Sequence, residues 1–216
     1  MTFSLNEIEA MGKRAARGGG LPWGLAEEAG KAARWLTAHG LPGPEMLAEL
    51  LTRNDGKSYD ELAPVSADGV WRARTGQLCP LISGAALCDR ASEIAAGREI
   101  EFGPTAYPVL LAPFAAGVAK LTGATVELSW SGAVTTFTSE EVAIDADDTA
   151  VTTRSADSVR CRRAENTVVA SPAGTPGRAV DAETWSRLSA FAHRTFAPAT
   201  EASRLAGAGA GLTDND

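Results

Sequence analysis

The hydrophobic period of the chain changes near residue 124, and this change constrains the fold more than any other feature. Before it, apolar residues recur mostly every three to four positions, which is typical of amphipathic helices. Residues 125–130 and 134–138 show the alternation and β-branched content of strands, and Ser131 and Gly132 between them predict a hairpin turn. Because helices and strands are segregated, we predict an α+β fold with N-terminal helices, a mostly antiparallel sheet in the second half and a C-terminal helix packing back on the core.

Local signals define the individual elements. Ser4 and Glu7 form a capping-box pattern, glycines 18–20 end the first helix, and Pro22 and Gly40 bound the second. Helices are predicted over about residues 5–17, 22–39, 44–53, 82–96, 114–121 and 182–196. Strands are predicted over about 69–73, 98–102, 125–130, 134–138, 149–154 and 158–163, and residues 107–111 fit a buried strand or a helix start. Glu27 and Lys31 are predicted to pair at i,i+4 spacing.

The length of 216 residues suits a single α+β domain over residues 1–197, with an N-terminal helical subdomain over residues 1–60 as a variant. Apolar residues make up 44% of the chain, which is enough for a core and argues against disorder of the whole chain. Residues 198–216 form a separate, glycine-rich and acidic C-terminal segment.

Charge and cysteine usage limit the partners and the compartment. The net charge of −7 and a pI near 5.0 argue against a nucleic-acid partner. No apolar run approaches the roughly 20 residues that span a bilayer, and the N-terminus lacks the pattern of a secretory signal. Three cysteines, an odd number, fit a reducing compartment. We therefore expect a soluble cytoplasmic protein with no membrane partner.

No cofactor or metal motif is complete. Residues 56–58 (Gly-Lys-Ser) lack the opening glycine of a phosphate-binding loop, because position 51 is leucine. The glycines of residues 207–211 have the wrong spacing for a dinucleotide fingerprint. Cys79 and Cys88 lie nine apart without a histidine pair, so no metal site is predicted, although the many carboxylates leave a hard cation less excluded than zinc.

Two groups near the N-terminus are candidate site residues. Arg14 and Arg17, with Lys13, form a basic patch beside Trp23, which fits either anion binding or cations placed against a helix C-terminus. Glu27 and Glu28 lie in the first turns of the second helix. They either complement the helix dipole or, if one faces inward, supply a general base whose pKa is raised by burial. Under the second alternative, the candidate catalytic residues are Glu27 and Glu28.

Cys79 is the candidate thiol nucleophile, because Pro80 places it on an extended segment. His193 on the last helix is a conceivable base for it, and a buried, inert cysteine is the alternative. Cys88 is assigned to the core.

The C-terminal segment supplies the remaining candidates. Ser203 and Arg204 could hold an anionic group, since a guanidinium pairs with a carboxylate in bidentate fashion. Asp214, Asn215 and Asp216 could close a site or help hold a cation, on a hinge formed by the glycines of 207–211. An unstructured tail is the alternative.

Residues 5–10 (LNEIEA), 13–18 (KRAARG), 22–30 (PWGLAEEAG) and 198–216 carry a resemblance to known sequences. At these positions the chain resembles an uncharacterised proteobacterial family that is known only as a domain of unknown function. The resemblance implies a bacterial cytoplasmic protein and a native C-terminal segment. It implies no activity and no catalytic residue.

Two functional hypotheses follow. The first is a small-molecule-binding metabolic protein or enzyme that acts on a small anionic metabolite, with its site where the second helix meets the returning C-terminal segment and with Trp23 as an apolar wall. The second is a non-catalytic accessory protein that assembles with a partner enzyme or with itself. The second hypothesis predicts an exposed apolar patch around Trp71 or Trp130.

Overall fold

A computed structural model describes residues 1–74, 76–164 and 179–196 of the chain. The predicted loop over residues 171–177 and the C-terminal segment 198–216 lie outside the described residues. None of the described helices is long and apolar enough to cross a bilayer.

Helices come first and most of the strands follow, as predicted, although two short strands precede the helix over residues 112–122. The helices are α1 (Leu5–Gly18), α2 (Trp23–Ala38), α3 (Gly43–Asn54), α4 (Tyr59–Leu62), α5 (Pro80–Asp89), α6 (Ala91–Ala95), α7 (Ala112–Thr122), α8 (Asp148–Val151) and α9 (Ala182–His193), with a 3₁₀ helix at Pro108–Leu111. The strands are β1 (Ile100–Phe102), β2 (Thr105–Ala106), β3 (Val126–Trp130), β4 (Ala133–Phe137), β5 (Val142–Ala146), β6 (Ser155–Ala156) and β7 (Val159–Arg163).

The N-terminal helices pack closely because glycines lie at their crossing. The capping box at Ser4 is confirmed and begins α1. A Cβ atom on Gly30 of α2 would lie 2.5 Å from the carbonyl oxygen of Glu9 in α1, so the two backbones approach more closely than any side chain would permit. The predicted apolar stripe of α2 is buried and faces this contact; its members are Ala26, Ala29, Ala33 and Leu36.

The C-terminal helix packs back on the core, as predicted, and its main contact is with α1. Asp181 caps α9 by accepting a hydrogen bond from the backbone N–H of Thr184. The rings of Phe3 and Trp185 stack with their centroids 3.6 Å apart. The backbone N–H of Val180 donates to the carbonyl of Met1 at 2.9 Å, so the N-terminal residue is joined to the segment that leads into α9.

A five-stranded antiparallel sheet forms the second half, in the order β1-β7-β3-β4-β5. The predicted hairpin is confirmed, with Trp130 opposite Ala133 beside the Ser131–Gly132 turn. Alternate residues of β3 are buried, and α7 covers that face of the sheet. The described core contains Trp71, Phe102 and Phe137, each almost fully buried.

Several local predictions are wrong. Residues 149–154 do not form a strand, because Asp147 caps the short helix α8 by accepting from the N–H of Ala150. The predicted helix over 82–96 begins earlier, at Pro80, and divides into α5 and α6 at Arg90. Strand β5 was missed. The strand predicted over residues 69–73 does not form, and only isolated bridges occur there.

The ion pairs of α2 also differ from the prediction. Lys31 contacts Glu28 at 2.7 Å instead of Glu27, and Glu27 contacts Lys13 of α1 at 2.5 Å. The i,i+4 pair was wrong because a cation on the neighbouring helix lies within reach of Glu27. This contact ties α1 to α2 at the surface.

A candidate ligand-binding cleft between α4 and α5

The segment between α3 and α5 folds into a closed loop. The backbone N–H of Ser58 donates to the Glu61 carboxylate at 2.8 Å, which begins the short helix α4. The N–H of Val65 donates to the carbonyl of Arg72 at 2.9 Å, which closes the loop that follows. The N–H of Cys79 donates to the carbonyl of Leu62 at 3.0 Å, which brings the start of α5 against the end of α4.

A cleft of about 400 Å³ lies between this loop and α5. Its apolar wall is formed by Ala63, Pro64, Val65, Ala67, Ile82 and Ala86. Trp71 also lines the cleft and is only 1% exposed, and its indole N–H donates to the carbonyl of Ala67. The Trp71 ring is therefore held in a fixed position. The volume lies within the roughly 300–1,000 Å³ typical of small-molecule sites.

Two opposite charges line the same cleft. Asp60 lies in the first turn of α4, and Arg74 lies in the closing loop. Within residues 1–74, 76–164 and 179–196, neither forms an ion pair, and they do not pair with each other. A guanidinium without an ion-pair partner can present its hydrogen-bond donors to a carboxylate or phosphate group of a ligand.

Cys79 lies at a second, smaller cavity that shares Tyr59 and Ile82 with the cleft. This cavity has a volume of about 30 Å³, which is room for a water molecule and little more. Burial raises the pKa of the Cys79 thiol, and the nearby N–H groups of Ile82 and Leu81 and the side chain of Asn54 lower it by a smaller amount.

The thiol of Cys79 is therefore shielded and protonated in this conformation, which is the arrangement of a structural cysteine. His193 does not line its cavity, and the imidazole instead contacts Phe196, with ring centroids 5.2 Å apart. Burial also raises the pKa of Cys88, to about 11, and the pKa of Cys161. The nucleophilic role predicted for Cys79 receives no support from this geometry.

The basic patch predicted beside Trp23 forms at the corner between α1 and α2. Trp23 is 62% exposed, with the Arg17 guanidinium carbon 5.1 Å and the Lys13 Nζ 5.9 Å from its ring centroid. Arg17 also donates to the carbonyl of Leu21 at 3.0 Å. Arg14 points along its own helix and donates to the carbonyl of Ala10. Trp23 follows Pro22, a wall residue of the small cavity, so this patch lies beside that cavity.

Neither glutamate of the predicted site faces inward. The hydrogen bond from Lys13 lowers the pKa of Glu27, which is the opposite of the raised pKa expected for a buried general base. Glu28 is paired with Lys31 at the surface. Ser203, Arg204, Asp214, Asn215 and Asp216 lie outside the described residues, so their assignment stays a prediction. The described residues contain no group of three or more histidine, cysteine, aspartate or glutamate side chains placed to hold a metal ion.

A separate polar cluster joins α3 to the end of the short antiparallel pair formed by β2 and β6. The Tyr107 hydroxyl donates to Glu49 at 3.0 Å, and Arg154 contacts the same carboxylate at 3.1 Å. Tyr107 has a positive φ of 43°, which is uncommon for a residue other than glycine. One turn earlier on α3, burial raises the pKa of Glu45. This cluster connects two layers of the fold and does not line the cleft.

No pattern in the sequence indicates that Tyr59, Asp60 and Arg74 lie together. Each looks like an ordinary surface residue, and the contacts that close the loop are backbone hydrogen bonds. The usable signal was the pair of aromatic residues, Tyr59 and Trp71, on either side of Pro64 in a segment without a clear period.

The fold and the cleft define an α+β protein with a helical N-terminal layer, an antiparallel sheet and a ligand-sized cleft at the end of the helical layer. Residues 3–79 match a family described as "Protein of unknown function (DUF3726)". The predicted resemblance to a family of unknown function is thus confirmed for this part of the chain. The matched part runs from α1 to the start of α5 and contains both Asp60 and Arg74. No curated protein matches the chain.

Proposed function

We propose that the protein binds a small anionic metabolite in the cleft between α4 and α5. The observation that carries this proposal is the cleft of about 400 Å³ with an apolar wall and the guanidinium of Arg74 without a carboxylate partner among the described residues. Ligand sites typically combine apolar walls with a few polar groups that fix the ligand's orientation. The proposal covers binding, with or without a following reaction.

The charges around the cleft support an anion more than a neutral ligand. Arg74 lines the cleft, and Lys57 lines the adjoining small cavity. An anion binding at Arg74 would form a charge-assisted hydrogen bond, which contributes about 1.5–3 kcal/mol. The net charge of −7 repels anions at long range, so affinity must come from these local contacts.

The test is a thermal-unfolding screen of the intact protein against small carboxylates, organic phosphates and neutral analogues of the same size. A ligand at a hundredfold excess over its Kd adds about 2.7 kcal/mol of stability. In a domain of this size the melting temperature then rises by roughly 5–10 °C, since each 1 kcal/mol corresponds to about 2–4 °C. We expect shifts from carboxylates or phosphates and none from the neutral analogues.

A cleft-filling variant locates the site. Ala86→Trp places a large ring on the cleft wall from a half-buried position of α5, and we expect it to abolish the shift. Ala96→Trp is the matched control, because Ala96 is exposed and does not line the cleft. Equal shifts from anionic and neutral compounds, or an unchanged shift in Ala86→Trp with its fold intact, would contradict the proposal.

Assembly with a protein partner is a second candidate function, favoured by one observation. Tyr59 and Val65 at the cleft are 53% and 60% exposed, and Val70 nearby in the chain is 36% exposed. An exposed apolar patch was predicted around Trp71 or Trp130; both tryptophan side chains are buried, so a patch near Trp71 would consist of these neighbours. Light scattering over a range of concentrations tests self-association, and Val65→Asp should abolish it if this surface is the contact.

A bacterial cytoplasmic location is also part of the proposal. It rests on the family resemblance and on the three cysteines, which are all free thiols in the fold. Fractionation of the native organism tests it, and recovery of the protein outside the cytoplasm would contradict it.

A further inference from the structure

Asp60 is the feature of the cleft that the binding of a simple anion leaves unexplained. A carboxylate in the wall of an anion site weakens anion binding, because like charges repel. Asp60 lines the same cleft as Arg74. Within the part of the chain that the structure describes, it has no cationic partner to neutralise it.

The absence of an ion pair between Asp60 and Arg74 indicates which class of ligand the cleft can bind. Asp60 and Arg74 share one cleft but do not contact each other, so each keeps its hydrogen-bonding capacity for another group. A ligand that carries one positive and one negative group can pair with both at once. Such a ligand turns the carboxylate of Asp60 from a repulsive group into an attractive one.

The rest of the wall defines the body of the ligand. Ala63, Val65, Ile82 and Ala86 offer no hydrogen-bonding side chain, and the indole N–H of Trp71 is already used by the carbonyl of Ala67. Beside Asp60 and Arg74, the lining side chains offer one further polar group, the hydroxyl of the 53% exposed Tyr59. A polar ligand body would therefore lose most of its hydrogen bonds to water without replacement. An aliphatic or aromatic body would gain from burial.

We infer that the ligand of the cleft is a zwitterion, an α-amino acid with an apolar side chain, whose carboxylate pairs with Arg74 and whose ammonium group pairs with Asp60. This inference rests on the proposed function and narrows it to one class of metabolite. Asp60 is then the residue that distinguishes amino acids from the corresponding simple acids.

The experiment compares matched ligands that differ by one charged group. L-Leucine and L-phenylalanine are titrated by calorimetry beside their deaminated forms, 4-methylpentanoate and 3-phenylpropanoate, and their decarboxylated forms, 3-methylbutylamine and 2-phenylethylamine. The wild-type protein should bind the amino acids at least about tenfold more tightly than either matched form. The reason is that the loss of each charge-assisted hydrogen bond lowers the affinity by a factor of that order.

Two charge-removing variants assign the contacts. Asp60→Asn should remove the preference for the amino acid over the deaminated acid and leave the preference over the amine. Arg74→Gln should do the reverse. Asp68→Asn, an exposed aspartate that does not line the cleft, is the control and should change neither ratio. Thermal unfolding without ligand checks that each variant is folded.

The outcomes separate this inference from the proposed function. If the deaminated acids bind as tightly as the amino acids, or if Asp60→Asn leaves the ratio unchanged, the zwitterion inference is overturned while anion binding at Arg74 stands. If the amines bind best and the acids do not bind, both proposals are wrong. If none of the six compounds binds, the amino-acid inference is overturned, and the wider anion screen decides the proposed function independently.

Discussion

The close crossing of α1 and α2 makes a specific prediction about two glycines of the same helix. A Cβ on Gly30 would lie 2.5 Å from the carbonyl oxygen of Glu9 and 3.0 Å from the backbone nitrogen of Lys13. Both are backbone atoms, so no rotamer change relieves the overlap and the helices must separate. A Cβ on Gly24 would meet nothing within 4 Å.

The two substitutions should therefore have opposite signs. Gly30→Ala should cost about 1–3 kcal/mol from overpacking, offset by at most about 1 kcal/mol of helix propensity. Gly24→Ala keeps the propensity gain without the overlap, although its position in the first turn reduces that gain. We expect a fall of several degrees in the melting temperature for Gly30→Ala and a small rise for Gly24→Ala, at about 2–4 °C per kcal/mol.

The assay is urea unfolding followed by far-ultraviolet circular dichroism, with the melting temperature from calorimetry as a second readout. Equal slopes against urea in the two variants would show that the change lies in stability and not in the unfolded state. If Gly30→Ala stabilises the protein as much as Gly24→Ala does, then backbone contact at Gly30 does not set the α1–α2 spacing.

Four further predictions concern the rest of the fold. Burial raises the pKa of Glu45, so the folded state binds a proton more tightly than the unfolded state, and this stabilisation is lost as pH rises above the unfolded pKa. Glu45→Gln should therefore be more stable than the wild type in neutral chemical denaturation and lose that advantage in acid; an advantage independent of pH would contradict this. Asp181→Ala removes the cap of α9 and should cost about 1 kcal/mol in the same assay, and no change would mean that the cap is dispensable. Iodoacetamide should leave Cys79 and Cys161 of the native protein unmodified, and rapid labelling of Cys79 detected by peptide mass would revive its nucleophilic role. Removal of residues 207–216 should abolish ligand binding and preserve the melting transition if the C-terminal segment closes a site, and unchanged affinity would exclude that segment from binding.

Local signals predicted most of the framework because the physics there is local. The capping box at Ser4 joins residues three positions apart, and the alternation of residues 125–130 reflects one buried face of β3. The error at residues 149–154 has the same origin. β-Branched residues there favoured a strand, but the cap by Asp147 favoured a short helix and prevailed.

The candidate cleft could not be predicted, because it depends on contacts between residues that are not near neighbours in the chain. The loop closes through backbone hydrogen bonds, and the N–H of Leu78 donates to the carbonyl of Pro104, far along the chain. No residue type encodes such contacts. The placement of Arg17 against Trp23 was predicted correctly, because the four-residue connection between two well-marked helices leaves little freedom. Of the two alternatives for Glu27, the inward-facing one does not occur in the structure, because Lys13 is close enough to pair with this residue at the surface.

In the proposed function, Arg74 in the cleft holds the anionic group of a small ligand. Isothermal titration of the tightest compound from the carboxylate and phosphate screen into Arg74→Gln and into Arg72→Gln isolates this contact. Arg72 is exposed, two residues away, and does not line the cleft. We expect affinity to fall at least about tenfold in Arg74→Gln and to be unchanged in Arg72→Gln, since a charge-assisted hydrogen bond contributes about 1.5–3 kcal/mol. Equal affinity for the two variants would show that the anion binds elsewhere.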